Sequence, residues 1–281
     1  MTIKDLVHYG YRQLIQFDSA RLDAELLLAH ALGKPPTFVL AHDDESPGLY
    51  REWCYKWLIK RRKKGIPVAY LRGHREFYGL EFLVNRHTLV PRPDTEALVE
   101  AVITYLGNEG RIDDRKPLLL DVGTGSGCIP IAVLKFTEGL TAVSVDISSA
   151  ALRVARKNAR QHQVEDRIRF TKSNLLEGID RSMFEGCEVV VTANLPYVPK
   201  NFQVNIETHF EPQIALYGGE DGMDLYRKLL EQLLPIKPKA MFFECFDFQK
   251  AILAEHAPGY RLRHIKNASG GAQVMILERR L

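Results

Sequence analysis

Residues 1–66 read as helical from their apolar spacing. Asp18 and Ser19 stand as capping residues ahead of R-L-D-A-E-L-L-L-A-H-A-L-G, and Leu22, Leu26 and Ala29 supply an apolar face. Gly33 stops that helix before Pro35-Pro36. A further helix fits Gly48 to Lys64, with Trp53, Trp57 and Leu58 on one side. The period then changes. Over residues 67–93 aromatic and β-branched residues flank Gly79, as in a β-hairpin, and Pro91 and Pro93 stiffen the exit. Asp94 is placed to cap a helix through T-E-A-L-V-E-A-V-I-T-Y-L, and residues 108–116 read as a charged, exposed loop. From there short apolar runs alternate with helical stretches. Strands are expected at Leu118–Asp121, Thr141–Asp146, Ile168–Thr171, Val189–Ala193, Lys239–Cys245, Tyr260–Ile265 and Ala272–Glu278. Helices are expected at Cys128–Phe136, Ser148–Gln163 and Phe248–His256. The class is α/β, and the expected division is a helical domain over 1–66, a hairpin linker over 67–93 and an α/β domain over 94–281.

At 281 residues, 46% hydrophobic and 26% charged, the composition is that of an ordinary globular protein with a sizeable core. A net charge of +3 is too mild for general nucleic-acid binding. No apolar run approaches membrane-spanning length, and M-T-I-K-D-L-V-H-Y-G lacks the continuous apolar core of a signal peptide. Cys54, Cys128, Cys187 and Cys245 lie far apart without a C-x-x-C pair, which reads as reduced thiols in the cytoplasm, with neither metal site nor disulfide framework. The basic run Lys60 to Lys64 reads first as a solvated helix C-terminus and second as a contact patch for an acidic partner or RNA. His74 and His87 are isolated and receive no role.

The candidate chemistry centres on V-V-V-T-A-N-L-P-Y-V-P, residues 189–199. A strand buried on both faces ends by delivering a polar amide, a rigid turn and an aromatic ring together, where ligands of open α/β sheets sit. Such a group suits methylation of a planar amide or amino nitrogen. The Asn194 side-chain oxygen and the Leu195 carbonyl would accept its two N–H bonds, Pro196 would hold the bend and Tyr197 would stack on the flat group. A plain strand-ending turn with an Asx cap and a core tyrosine accounts for the same four residues.

Upstream, Leu118-Leu119-Leu120-Asp121, the turn Val122-Gly123-Thr124-Gly125-Ser126-Gly127, a helix and the strand ending at Asp146 form a unit suited to an adenosine-type ligand. The glycines permit close backbone approach and Asp146 can take both ribose hydroxyls. The dinucleotide pattern fails because its third glycine position is Cys128, and Asp121 suits the ammonium and sulfonium of S-adenosylmethionine better than a pyrophosphate. At Ser173-Asn174-Leu175 the polar side chain either bonds an adenine amino group, with Leu175 against the ring, or forms an Asx turn. The glycine-rich segment from Phe210 to Tyr226 is long enough to be functional and to close over a substrate.

N-L-P-Y resembles the Asn-Pro-Pro-Tyr signature of amino-group methyltransferases, with Leu195 in place of the first proline. With A-Y-L-R-G-H-R-E-F-Y-G-L, V-P-R-P-D-T-E, D-V-G-T-G-S-G, Asp146 and F-E-P-Q-I-A-L-Y-G-G-E-D-G, the chain resembles protein glutamine N5-methyltransferases of the release-factor type over nearly its whole length. The C-terminal K-N-A-S-G-G-A-Q-V departs from that branch in lacking acidic and arginine residues. The resemblance implies a Rossmann-like S-adenosylmethionine-dependent methyltransferase domain, a seven-stranded mixed sheet whose last strand is antiparallel, preceded by the helical domain and hairpin linker. It implies that the donor lies at Asp121, Gly123, Thr124, Gly125, Ser126, Gly127, Asp146, Asn174, Leu175 and Asn194, and leaves as S-adenosylhomocysteine. It implies that the glutamine of a Gly-Gly-Gln loop in peptide chain release factors is methylated at Asn194, Leu195, Pro196 and Tyr197, by a cytoplasmic monomer without membrane or stable nucleic-acid attachment. Three alternatives use the same residues: methylation of a ribosomal-protein glutamine, methylation of adenine N6 in nucleic acid, and a donor-binding module that has lost turnover through Leu195.

Overall fold

The computed structural model describes residues 1–108, 116–266 and 271–280. Most of the charged loop expected at 108–116 therefore lies outside the described residues, as does part of the K-N-A-S-G-G-A-Q-V stretch. The chain divides into two compact units, Met1–His74 with Val204–Phe210, and Arg75–Gln203 with Glu211–Leu281.

The first unit is helical: α1 (Ile3–Gln13), α2 (Ala20–Leu32), α3 (Pro36–Ala41), α4 (Leu49–Arg62) and α5 (Val68–Arg72). Thr2 caps α1 reciprocally with Asp5. A Cβ on Gly10 would stand 1.9 Å from the Tyr55 hydroxyl, so glycine lets α4 approach α1 closely enough for Tyr55 to donate to the Leu6 carbonyl. The core takes Ala20, Leu27 and Leu28 from α2, and Tyr55, Leu58 and Ile59 from α4. Ala29 and Leu58 are buried as expected, but the rest of both expected faces is corrected. Leu22 is 56% exposed, and Trp53 and Trp57 are 65% and 47% exposed, on the other side of α4 from Leu58. Ser19 occupies the N-cap position of α2 without a side-chain capping bond.

The basic run is not uniformly solvated. Arg62 is fully buried, its Nε donating to Asp23 Oδ2 at 2.7 Å and its Nη2 to Glu207 Oε1 at 2.6 Å, with the guanidinium 3.8 Å from the Phe17 ring centroid. Burial raises the Asp23 carboxyl above its ordinary value, against the opposing pull of Arg62.

The chain passes into the second unit within the first strand of a hairpin, β1 (His74–Phe77) and β2 (Leu80–Leu83), which turns at Tyr78-Gly79. Its sheet contains β3 (Lys116–Val122), β4 (Thr141–Asp146), β5 (Ile168–Lys172), β6 (Cys187–Ala193), β7 (Ala240–Cys245), β8 (Tyr260–Ile265) and β9 (Gln273–Arg279). The order is β5-β4-β3-β6-β7-β9-β8, parallel except that β9 runs antiparallel to both its neighbours. The helices are α6 (Glu96–Asn108), α7 (Cys128–Phe136), α8 (Ser149–Gln161), α9 (Asp224–Leu233) and α10 (Lys250–His256). Strand alternation divides the core. Leu119, Val190 and Phe242 pack with α6 and α7, while Leu118, Leu120, Val191 and Phe243 pack with α9 and α10. Asp94 lies in a 3₁₀ turn, Pro93–Thr95, entered from Arg92, and α6 continues from that turn at Glu96. No helix among the described residues is long and apolar enough to cross a membrane.

Removing Arg62 leaves Asp23 buried and unpaired. Arg62→Met is expected to destabilise the helical unit by about 3–5 kcal/mol, and a further Asp23→Leu to restore much of that. Urea unfolding followed by fluorescence checks this, since both tryptophans lie in this unit.

Candidate active site

Val122 at the end of β3 pairs with Val145 of β4 on one side and Ala193 of β6 on the other. The sheet order reverses between β3 and β6, so a crevice opens at the carboxyl ends there. A cavity of about 260 Å³ occupies it, lined by Gly123, Thr124, Gly125, Ser126, Asp146, Asn174, Leu175, Asn194, Leu195 and Pro196, among others. Asp121, Gly127 and Tyr197 are not part of that lining.

Gly123, at φ +78°, faces Leu195: a Cβ there would come within 2.8 Å of Leu195 Cδ2. The loop is pinned from below. Gly123 N and Thr124 N donate to the Val145 carbonyl at 2.9 and 3.0 Å, and Asn158 Nδ2 donates to the Ser126 carbonyl at 2.8 Å. Asn158 also exchanges hydrogen bonds with the backbone of Leu83. The Asp146 carboxylate accepts from Gly125 N and Ser148 N, both at 2.8 Å, and burial raises its pKa. Each of its oxygens keeps a second lone pair for a ligand hydroxyl. Asn174 turns its Nδ2 to Glu177 Oε1 at 3.0 Å, and Leu175 beside it holds φ +51°, unusual for a branched residue.

Asp121 accepts from Thr192 Oγ1 at 2.7 Å through Oδ1. Among the described residues, neither its Oδ2 nor Thr124 Oγ1 has a partner at hydrogen-bond geometry, although Thr124 sits near enough to pull the carboxyl's pKa down. Burial dominates and pushes Asp121 up to about 6. An orphaned carboxylate oxygen under a glycine turn, with a second carboxylate at the neighbouring strand end, fits a ligand bearing both a cationic group and ribose hydroxyls. These residues fit S-adenosylmethionine.

At the opposite wall, Asn194 Nδ2 donates to Thr95 Oγ1 at 3.1 Å. With one N–H on Thr95 and the amide also close enough to Glu244 to lower that carboxyl's pKa, the group Asn194 has left to offer the cavity is its Oδ1 acceptor. Tyr197 donates to Glu244 Oε1 at 2.9 Å, and its ring meets Phe246 edge-on. Burial raises the Glu244 carboxyl, while hydrogen bonding from Thr95, Tyr197 and Asn194 opposes it. The Leu195 N–H donates to Tyr226 Oη at 3.2 Å. Thr95, Tyr226 and Glu244 were not expected from sequence. Glu244 alone gave a signal, as an acid ending the apolar run of β7. His87, given no role, lines the cavity with Thr88, and Arg92 pairs nearby with buried Glu211 at 2.5 Å.

Comparison with known proteins adds names to this geometry. The PrmC N-terminal domain family matches residues 5–73, and the methyltransferase small domain family matches residues 100–201. A release factor glutamine methyltransferase of Rhodopirellula baltica is 34% identical over 93% of this chain and 90% of its own length. A bifunctional methyltransferase of Rickettsia bellii is 35% identical over 78% of this chain, which spans only 43% of that longer protein. The hMettl16 catalytic domain, solved with a MAT2A 3′UTR hairpin, shares the fold at TM-score 0.57 and 13% identity, over 79% of this chain and 81% of that one.

A carboxyl held at about 6 when folded, against an ordinary 3.8, binds more protons in the native state between those values. Its contribution to stability therefore falls as pH rises through that window, by roughly 2–3 kcal/mol. Asp121→Asn is expected to remove this component and to raise ligand-free stability at pH 7. Urea midpoints for both proteins at pH 4.5 and 7 check it.

Proposed function

The chain belongs to the release factor glutamine methyltransferase family, and on that footing we propose that it methylates the side-chain amide nitrogen (N5) of a release-factor glutamine, using S-adenosylmethionine. When bound, that donor supplies an electrophilic methyl on a sulfonium and leaves as S-adenosylhomocysteine. Asp121 takes the donor's ammonium with its unpartnered oxygen. Asp146 takes the ribose hydroxyls, the backbone of Gly123 to Gly127 admits the donor closely, and Asn174 and Leu175 border the adenine.

The observation that supports the acceptor site best is the orientation of Asn194. Its nitrogen is turned to Thr95 and Glu244, so its oxygen is what a substrate amide meets. The Leu195 carbonyl supplies a second acceptor. Two acceptors on one carboxamide NH₂ favour a less planar nitrogen, whose lone pair is then available to the methyl group. The substrate nitrogen gains the methyl as the carbon–sulfur bond breaks, and one of its protons then departs to solvent. Pro196 restricts the backbone after Leu195. Tyr197, anchored on Glu244 and packed on Phe246, fixes the turn from behind the cavity's lining. The helical unit recognises the protein substrate, and a release-factor substrate places the work in the cytoplasm.

Labelled donor incubated with purified release factor is expected to place label on the loop glutamine. Absence of label, with a known family member active alongside, would overturn this function. Asn194→Ala is expected to lower kcat on the order of a hundredfold or more and to leave donor affinity nearly intact. An unchanged rate would remove Asn194 from its assigned role.

Donor affinity has its own pH signature. Asp121 must be ionised to attract an ammonium, and its folded pKa is about 6. Donor binding is expected to weaken by up to about tenfold per unit as pH falls below that value, and Asp121→Asn to flatten the profile. Calorimetric titrations between pH 5 and 8 check it.

A further inference from the structure

Leucine at position 195 poses a physical problem that the signature's proline does not. Proline fixes its own φ and has no N–H. Leu195 has a free φ and an N–H, yet it is only 4% exposed. A buried N–H needs a partner, and a carbonyl used as a catalytic acceptor needs a fixed direction. We propose that the Tyr226 hydroxyl is the positioning group that takes over from the missing proline, by holding the Leu195 amide and through it the direction of the Leu195 carbonyl. This rests on the function proposed above.

The geometry is closed on every side. Leu195 N donates to Tyr226 Oη at 3.2 Å, and Tyr226 Oη lies 2.6 Å from the Glu244 carbonyl and 3.3 Å from the Ala193 carbonyl. The phenol has one proton, which goes to the nearer Glu244 carbonyl, so its lone pairs face the Leu195 amide. One hydroxyl thereby ties the end of β6 to the end of β7. Tyr226 is itself immobile: it is fully buried, and its ring packs tilted against Phe243 at 5.3 Å. Burial also raises its pKa well above 10, so it stays a hydroxyl at working pH.

The two peptide planes flanking Leu195 are then restrained by different means. The preceding plane is pinned through its N–H by Tyr226. The following plane is limited by Pro196, which confines the residue before it to extended conformations. The leucine side chain, lodged against Gly123, fills the remaining space on the cavity side. Tyr226 touches no reacting atom in this arrangement; it acts through Leu195.

The test is a double-mutant cycle with two readouts. In the Leu195 background, Tyr226→Phe orphans the amide, and kcat for methyl transfer to release factor is expected to fall on the order of ten- to a hundredfold, with calorimetric donor affinity unchanged. In the L195P background there is no amide to hold, and Tyr226→Phe is expected to change kcat by less than about threefold relative to L195P alone. Equal losses in both backgrounds would reduce Tyr226 to core packing and overturn the proposal, as would no loss in either. Melting temperature supplies the second readout and needs no turnover: Tyr226→Phe is expected to cost more in the Leu195 background than in L195P, and equal costs would overturn the brace. A wild-type protein that fails to label release factor would sink the proposed function, with the melting cycle still deciding on the brace. If Tyr226→Phe does not fold, the double variant decides. A folded, donor-binding L195P/Y226F supports the brace, and an unfolded one overturns it.

Discussion

Val122 is paired in register with Val145 on one flank and with Ala193 on the other, and the whole site depends on that pairing. The three strands are parallel and end at one level, so the turns after them converge. Register here is not free to slip. Leu118 and Leu120 face one core and Leu119 the other, and a one-residue shift would exchange those faces along the whole strand. The hydrophobic pattern of β3 thus sets, at atomic scale, how Gly123 stands to Asn194. The reversal of strand order between β3 and β6 keeps that junction open for a ligand.

The ends of these apolar strands carry an unusual density of polar groups. Asp121, Thr192 and Glu244 are all buried at the carboxyl edge, with Thr95 and Tyr226 packed against them. Removing such groups from water costs free energy unless each is paired. Several are: Thr192 donates to Asp121, Tyr197 to the Glu244 carboxyl and Tyr226 to the Glu244 carbonyl. Among the described residues Glu244 Oε2 is one exception and Asp121 Oδ2, beneath the glycine turn, another, and burial raises both carboxyls. An arrangement selected for stability alone would not leave a carboxylate oxygen there. One awaiting a cationic ligand would, because binding supplies the counter-charge only when it is needed.

Much of the second unit was legible because its signals are local. Cys128–Phe136, Thr141–Asp146 and Tyr260–Ile265 were read with the bounds the structure gives them. A glycine turn after a strand, an acid at the next strand end and an amide after a third could be assigned to one edge without knowing any contact. The faces of α2 and α4 were not legible. Leucine and alanine surround α2 on most sides, so no stripe separates Leu22 from Leu27, and only neighbouring helices decide which is buried. Arg62 sits in a run of five basic residues that look alike in sequence, while its partners Asp23 and Glu207 come from remote segments. Thr95, Tyr226 and Glu244 escaped for the same reason: each reaches the site from a stretch with no local mark of chemistry, apart from the acid in β7.

At position 195 a constraint has moved from a residue to its surroundings. A proline carries its restraint with it, and a strand end built on one keeps its bend whatever packs behind. A leucine depends on a hydroxyl contributed 31 residues later by α9. That helix is seated by Leu229, Leu230 and Leu233 in the same core as Met241 and Phe243 of β7, and β7 also provides the carbonyl to which Tyr226 donates. The direction of the acceptor carbonyl is therefore coupled to how α9 and β7 pack, a dependence the proline form would lack at this bond. Substitutions in that core, far from any ligand, would be felt at the acceptor as misalignment before they were felt as unfolding, since orienting a carbonyl tolerates less displacement than keeping a helix docked.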